Sequence, residues 1–179
     1  MTVLDNPYSY GSVSKVLHWA MAVLLIVIYF LGLEAAEDHD PTIIEIHNSL
    51  GVILMLLALF RFVWRYTSPK TKIYFPYPYM EVTFEIVVTI FYLVMIVMPI
   101  TGYIFFNLEG ETVSFFGITL PNFVAPDASY EKWGHAVHQI LSGALIYAFI
   151  LHIVGSLYHH FYLKDDSLRR MLPGYYEEE

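Results

Sequence analysis

The sequence contains no cysteine and has few charged residues. Without cysteine the chain cannot form disulfides, thiolate metal sites, a cysteine nucleophile or a covalent cofactor link through a C-x-x-C-H motif. Any bound metal must therefore be held by histidine, carboxylate, methionine or tyrosine. Nine lysines and arginines against seventeen aspartates and glutamates give a formal charge of −8. That charge argues against a nucleic acid partner, because phosphates require a basic surface.

Apolar residues are abundant and occur in long runs. Hydrophobic residues make up 57% of the 179 residues, charged residues only 15%, and the mean hydropathy is +0.54. Four apolar stretches, at about 13–34, 43–65, 82–106 and 131–162, reach the roughly 20 residues that cross a bilayer. The sequence therefore predicts an all-α membrane protein, a bundle of four transmembrane helices in a single domain over 1–179. We expect no cleavable signal peptide, because the first run lacks a small-residue cleavage site.

The ends of the apolar stretches carry helix signals. Ser12 and Ser14 are the expected N-cap residues of the first helix, and Pro41 should open the second after a tight turn. Pro99 lies inside the third stretch and should kink that helix. The fourth stretch is long enough that it must overhang the bilayer or tilt strongly.

Basic residues predict the orientation in the membrane, because lysine and arginine cluster in cytoplasmic loops. In a four-span arrangement every lysine and arginine except Lys132 falls on one side of the membrane. These are Lys15, Arg61, Arg65, Lys70, Lys72, Lys164, Arg169 and Arg170. We therefore expect a protein of the bacterial inner (plasma) membrane with both termini in the cytoplasm. The opposite side is acidic, with Glu34, Glu37, Asp38, Asp40, Glu45, Glu109, Glu111, Asp127 and Glu131.

Two connections differ in character. The 66–81 segment is rich in proline and tyrosine and is expected to lie at the membrane interface, where tyrosine rings are favoured. The 107–130 segment is long for a connection between helices, and its apolar "FFGITLP" should lie on the membrane surface or cap the bundle.

Two histidines of the fourth stretch share one helix face. His138 and His152 are fourteen residues apart, about 40° short of four full turns and roughly 21 Å along the axis. Matching by depth in an antiparallel bundle pairs His47 with His138 and His18 with His152. A lone histidine on an apolar helix is more often a hydrogen-bonded structural residue, but two depth-matched pairs favour two bis-histidine haem sites. Zinc is less favoured, because it requires three or four clustered ligands.

The other four histidines fit these sites less well. His39 lies in an acidic loop and should be solvated, and His135 is about 100° away from the face of His152. His159 and His160 are expected to mark the cytoplasmic membrane boundary, together with Tyr162.

Several segments resemble those of a known family in order and spacing. They are "LHWAMAVLLIVIY" at 17–29, "IHNSLGVILM" at 46–55, "RFVWR" at 61–65, "MPITGY" at 98–103, "FFGITLP" at 115–121, and the block from His138 through "HHFYLKDDSLRRMLP". With nearly the whole chain covered, the sequence resembles the bacterial cytochrome b561 family, four-helix membrane proteins with two b haems. The resemblance implies His18, His47, His138 and His152 as ligands. A histidine that helix 3 often carries in this family is replaced here by Val88.

The resemblance implies electron transfer between a periplasmic-side donor and ubiquinone, and some members resemble superoxide oxidases. The expected contacts for haem propionates or quinone carbonyls are Arg61, Arg65, Arg169 and Arg170, although the positive-inside rule alone explains each of them equally well. The acidic outer side should repel superoxide, an anion, and favour a neutral donor or a cationic periplasmic redox protein.

Two other classes of function stay open. The chain is alternatively a haem-bearing membrane anchor that serves a separate dehydrogenase subunit. A transporter or purely structural bundle is the non-redox reading. Membrane lipid is a partner in every case.

Overall fold

The structure is a computed structural model that describes residues 2–72, 75 and 77–175. Four long helices dominate it, with a two-stranded hairpin in the third connection and a short helix near the C-terminus. The elements are α1 Ser12–Asp38, α2 Pro41–Thr67, α3 Pro78–Leu108, β1 Ser114–Phe115, β2 Ile118–Thr119, α4 Ala128–Tyr158, a π-helical turn His159–Leu163 and α5 Ser167–Met171.

The four long helices are apolar enough to cross a membrane, as the sequence predicts. The longest span combines α4 with the π-helical turn, over Ala128–Leu163. Large apolar side chains point away from the bundle, among them Ile140, Tyr147 and Leu151 of α4, each about 70% exposed. Such a surface is unfavourable in water and suits hydrocarbon, so the protein is a multi-pass membrane protein.

Helices that follow one another in the chain pack side by side: α1 on α2, α2 on α3 and α3 on α4. All four contribute to one apolar core, which contains Met21, Leu25 and Ile28 of α1, Leu54 and Ala58 of α2, Tyr92, Val94 and Met95 of α3, and Leu145 of α4. The end of the bundle at which α1 and α3 finish is called the acidic end below. The opposite end, where α1 begins and α4 ends, is the basic end.

The start of α1 differs from the prediction. Gly11, in extended conformation, precedes the helix, and no side chain caps it, so the N-cap prediction for Ser12 and Ser14 is wrong. The Ser14 hydroxyl instead donates to the Asp5 carboxylate (2.8 Å) and accepts from the Trp64 indole (3.0 Å). The N-terminal segment folds back across α1 and supplies this carboxylate, which a local sequence pattern cannot reveal.

The connection between α3 and α4 contains a β-hairpin that the sequence did not predict. Its strands are two residues long, too short for an alternating pattern, and Phe116 and Gly117 turn the chain with positive φ angles of 46° and 82°. The amide of Phe116 donates to the Ser49 hydroxyl (2.9 Å), and that of Gly117 donates to the Glu45 carboxylate. The hairpin is therefore fastened to the first turns of α2.

The segment after α4 is held at the basic end by side-chain contacts. Lys164 is the C-cap of the π-helical turn, and the His159 ring contacts the Asp165 carboxylate at 2.5 Å. Burial raises the pKa of Asp165, but hydrogen bonds from His159 and Ser167 outweigh it, so the pKa lies below its usual value. The Trp19 indole donates to the Met171 carbonyl (2.9 Å), which ties α5 to the first helix.

Candidate functional site

At the acidic end, His47 and His138 face each other across the bundle. His47 lies in the second turn of α2 and His138 in the outer half of α4. Their ring centroids are 6.4 Å apart, with 75° between the ring planes. The structure thus brings together the pair that depth matching predicts.

At the basic end, His18 of α1 and His152 of α4 form a second pair. Their ring centroids are 6.0 Å apart at 62°. The side chain of Phe91 packs edge-on against His152, with 5.6 Å between centroids. All four predicted ligands therefore lie in two pairs, one toward each end of the bundle.

Both ring separations suit one metal ion held between two imidazoles. Metal–imidazole bonds are about 2 Å long, so rings that bind one ion from opposite sides have centroids roughly 6 Å apart. No group of three or more histidine or carboxylate ligands occurs among the described residues. The donor sets are therefore pairs, as in bis-histidine haem ligation.

Two glycines leave room for the rings at the acidic end. A Cβ atom on Gly32 of α1 would lie 2.8 Å from Cε1 of His47, and one on Gly102 of α3 would lie 3.0 Å from Cε1 of His138. Each ring thus rests against the backbone of a neighbouring helix. Any larger residue there would push the ring from its position, so these glycines act as seats for the two histidines.

Hydrogen bonds orient both rings at the acidic end. Nδ1 of His47 donates to the Ile28 carbonyl at 3.0 Å. Nδ1 of His138 lies 3.2 Å from the Thr101 hydroxyl, which itself donates to the Met98 carbonyl (2.7 Å) and so accepts from the ring. With Nδ1 protonated, Nε2 of each ring is free to bind a metal, and such partners also raise ligand basicity.

Replacing Thr101 with valine should weaken metal binding by His138. The valine keeps the shape but loses the acceptor, and loss of such a partner typically costs ~10-fold in metal affinity. We expect the purified T101V protein to lose haem faster to a haem scavenger, whereas T101S, which keeps the hydroxyl, should behave as the parent does. Equal retention by all three proteins would show that the hydrogen bond is unimportant.

The basic-end pair has a different neighbour. Nη2 of Arg61 lies 3.0 Å from Nδ1 of His18. A guanidinium only donates, so Nδ1 accepts, and the neutral ring of His18 carries its proton on Nε2. This pair is therefore less ready to bind a metal than the acidic-end pair.

The space around the two pairs also differs. The acidic-end cavity has a volume of about 950 Å³, which is within the range of cofactor sites. Gly51 and Gly143 form part of its wall, and a Cβ atom added to either glycine would have no neighbour within 4 Å. The basic-end cavity has about 90 Å³, and Val88, Phe91 and Phe149 form part of its wall. The acidic-end cavity is therefore large enough for a macrocycle, whereas the basic-end cavity in this structure is smaller than one.

Three of the arginines expected at the site have different surroundings. Arg61 lines the basic-end cavity and forms no ion pair within the described residues. Arg65 pairs with Glu85 at 2.7 Å and lies over the Phe84 ring. Arg169 is exposed and contacts Asp166 at 3.4 Å. Only Arg61 thus reaches a cavity wall.

The remaining histidines have other surroundings. His135 lines the acidic-end cavity and packs on Phe105, with 5.4 Å between ring centroids, and the exposed His39 lines the same cavity. Glu109, which also lines this cavity, has its pKa raised by partial burial and by the nearby Glu131. Among the described residues that line this cavity, the acidic ones are Glu45, Glu109 and Glu111, and none is a lysine or arginine.

The family model of the prokaryotic cytochrome b561 matches residues 9–174. The chain belongs to that family. A cytochrome b561 homolog 2 of Escherichia coli is 28% identical over 96% of this chain and 95% of its own. A probable superoxide oxidase CybB of Yersinia pestis is 26% identical over 88% and 92%, and a cytochrome b561 homolog 1 of E. coli is 23% identical over 88% and 93%. The resemblance read from the sequence is confirmed.

Membership of the cytochrome b561 family establishes electron transfer in the membrane as the activity and implies b-type haem as the cofactor. The paired histidines fit a b-type haem, because two neutral imidazoles that face each other in a helical bundle can both bind a haem iron. Sequence reasoning missed Gly32, Thr101 and Gly102. The last two stand in "MPITGY", directly after the helix proline, but their link to His138 depends on packing between helices.

Proposed function

We propose that the protein is an oxidoreductase with two haem b groups, one held by His47 and His138 and the other by His18 and His152. The observation that carries the proposal is the ring separation of 6.4 Å and 6.0 Å in the two pairs. His138 and His152 are fourteen residues apart on α4, roughly 21 Å along the helix axis. Each haem supplies a one-electron Fe(III)/Fe(II) centre, so two centres at different depths suit passage of electrons across the membrane.

The chain's own residues support this proposal in separate ways. Gly32 and Gly102 leave space for two of the ligand rings, and Ile28 and Thr101 orient those rings by hydrogen bonds. Arg61 supplies positive charge at the basic-end cavity, where haem propionates need a counter-charge. Arg65 and Arg169, nearer the surface, complete the proposed set of cations for propionates or for a quinone.

Electrons are proposed to pass between a donor at the acidic end and ubiquinone at the basic end. Basic residues at one end support a cytoplasmic location for both termini and an inner-membrane location for the protein. The acidic end then faces the periplasm, where the larger cavity opens among carboxylates.

Charge at the acidic end bears on the donor. Glu45, Glu109 and Glu111 line the cavity at this end. Such a field attracts a cationic redox protein and slows an anion such as superoxide, even though one relative is named a probable superoxide oxidase. This favours, as a second candidate function, an electron-transfer subunit or anchor that receives electrons from a periplasmic redox protein or a dehydrogenase subunit.

The proposal is tested on purified full-length protein in detergent. We expect pyridine-haemochrome analysis to give two haems per chain and a quinone analogue to reoxidise the reduced protein. Rapid reduction by superoxide alone indicates an autonomous enzyme, whereas reduction only with a co-purifying protein indicates the subunit. The absence of b-type absorption bands contradicts both functions.

A further inference from the structure

The β1–β2 hairpin exposes apolar side chains. Phe116, at its turn, is 56% exposed, and Ile118, on its second strand, is 65% exposed. The first strand packs on α2, which itself exposes Ile46 close to these contacts. Such an apolar surface is unfavourable in water and marks a site that lipid or another protein covers. Which of the two covers it depends on how far along α2 the hairpin lies.

The position of Ser49 on α2 gives the depth of the hairpin. α2 has 27 residues, whereas a hydrocarbon core of about 30 Å takes roughly 20 helical residues. A core centred on α2 leaves roughly three or four residues outside at each end and begins near Glu45. Ser49 is one turn further along, so it lies roughly 6 Å inside the hydrocarbon. The amide of Phe116 donates to the Ser49 hydroxyl at 2.9 Å, and the turn of the hairpin is therefore inside as well.

The hydrogen bonds between the turn and α2 make such a position possible. Hydrocarbon offers no acceptor, so a non-helical segment can lie at membrane depth only where protein groups satisfy its amides. The Phe116 amide is satisfied by Ser49, whose side chain is fully buried. The Gly117 amide is satisfied by the Glu45 carboxylate. A turn in water needs neither side chain, because water itself accepts from exposed amides.

We propose that the β1–β2 hairpin is a re-entrant segment, inserted among the lipid acyl chains at the acidic end of the bundle. Phe116 and Ile118 contact the acyl chains, while Ser49 and Glu45 hold the amides of the turn. Ser114, on the first strand, lines the acidic-end cavity. The hairpin thus forms a wall between that cavity and the membrane, and it keeps acyl chains out of the cavity.

The test is site-directed spin labelling, which is direct here because the chain has no cysteine of its own. Full-length Ile118→Cys protein, labelled with a nitroxide, is placed in nanodiscs of phosphatidylcholine and phosphatidylglycerol. Electron paramagnetic resonance then compares collisions with oxygen, which concentrates in hydrocarbon, and with a nickel chelate, which stays in water. The label at position 118 should favour oxygen, as should the label of I140C on the exposed apolar face of α4. E37C, in the exposed last turn of α1, should favour the nickel chelate.

Two results would overturn the proposal. A label at position 118 that favours the nickel chelate places the hairpin in water. A label shielded from both reagents places it against a second copy of the chain or another protein. F116C gives a second position if I118C does not fold, and it should show the same preference for oxygen. Insertion does not depend on haem content, so its failure is distinguishable from a protein that holds fewer than two haems.

Removal of the Ser49 hydroxyl tests the cause of insertion. In S49A/I118C the Phe116 amide has no acceptor, so the turn should move toward water. Collisions of the label with the nickel chelate should then increase severalfold. The matched control is S129A/I118C, which loses an exposed hydroxyl at the start of α4 and should behave as I118C does. Unchanged collisions in S49A/I118C, or equal increases in both double variants, overturn the role assigned to Ser49.

Discussion

Replacing His138 with alanine is expected to reduce the haem content of the purified protein from two per chain to one. A b haem is held only by its axial bonds and its packing, because the chain has no cysteine for a covalent link. Loss of one imidazole leaves the iron a single protein ligand and leaves the cavity of about 950 Å³ larger still. Pyridine-haemochrome analysis measures the result directly.

His135→Ala is the matched control for His138→Ala. His135 lies one turn earlier on α4 and lines the same cavity, but it packs on Phe105 and not on His47. The H135A protein should keep two haems. Because His47 and His138 are proposed to bind one iron, H47A and H47A/H138A should lose no more haem than H138A does. Two haems in H138A, or one in H135A, contradict the assignment.

Replacing Gly32 with alanine should displace the His47 ring and lower the occupancy of the acidic-end haem. The added Cβ would lie 2.8 Å from Cε1 of His47, closer than non-bonded carbon atoms approach each other. The ring must therefore move, and a displaced histidine binds the metal more weakly. Loss of a residue that positions a metal ligand typically lowers metal affinity by ~10-fold or more, and we expect a loss of similar size here. Haem retention during dilution, followed by absorption, measures the loss.

Gly155→Ala makes the same change without a steric conflict. Nothing lies within 4 Å of a Cβ at Gly155, and alanine favours the helix by about 0.5–1 kcal/mol over glycine. The G155A protein should therefore retain both haems and be at least as stable as the parent. If the G32A protein retains as much haem as the G155A protein, the space that Gly32 leaves for the His47 ring is not required for haem binding.

Much of the fold follows from the sequence because lipid imposes simple rules. A backbone in hydrocarbon must satisfy its own hydrogen bonds, so each apolar run of sufficient length becomes a helix. Pro41 opens α2 as expected, since a proline costs nothing at the first helical position. The β1–β2 hairpin was missed because its register depends on Ser49 and Glu45 of another helix, far away in the sequence.

The pairing of the histidines was predictable from the sequence because helical periodicity is fixed at 3.6 residues per turn. His138 and His152 therefore share a face, and alternating helix directions place His47 near one and His18 near the other. Whether these pairs bind haem is tested by the substitutions above.

By itself, the sequence determined the number of apolar helices, the helical fold, the family and which four histidines come together in pairs. The tertiary structure alone decided what surrounds each ring: the backbone at Gly32 and Gly102, the acceptors at Ile28 and Thr101, and the guanidinium of Arg61. The physical reason is the range of the interactions. Helix formation and hydropathy are local along the chain, whereas the hydrogen bonds and charges that set a ligand's properties arise between helices.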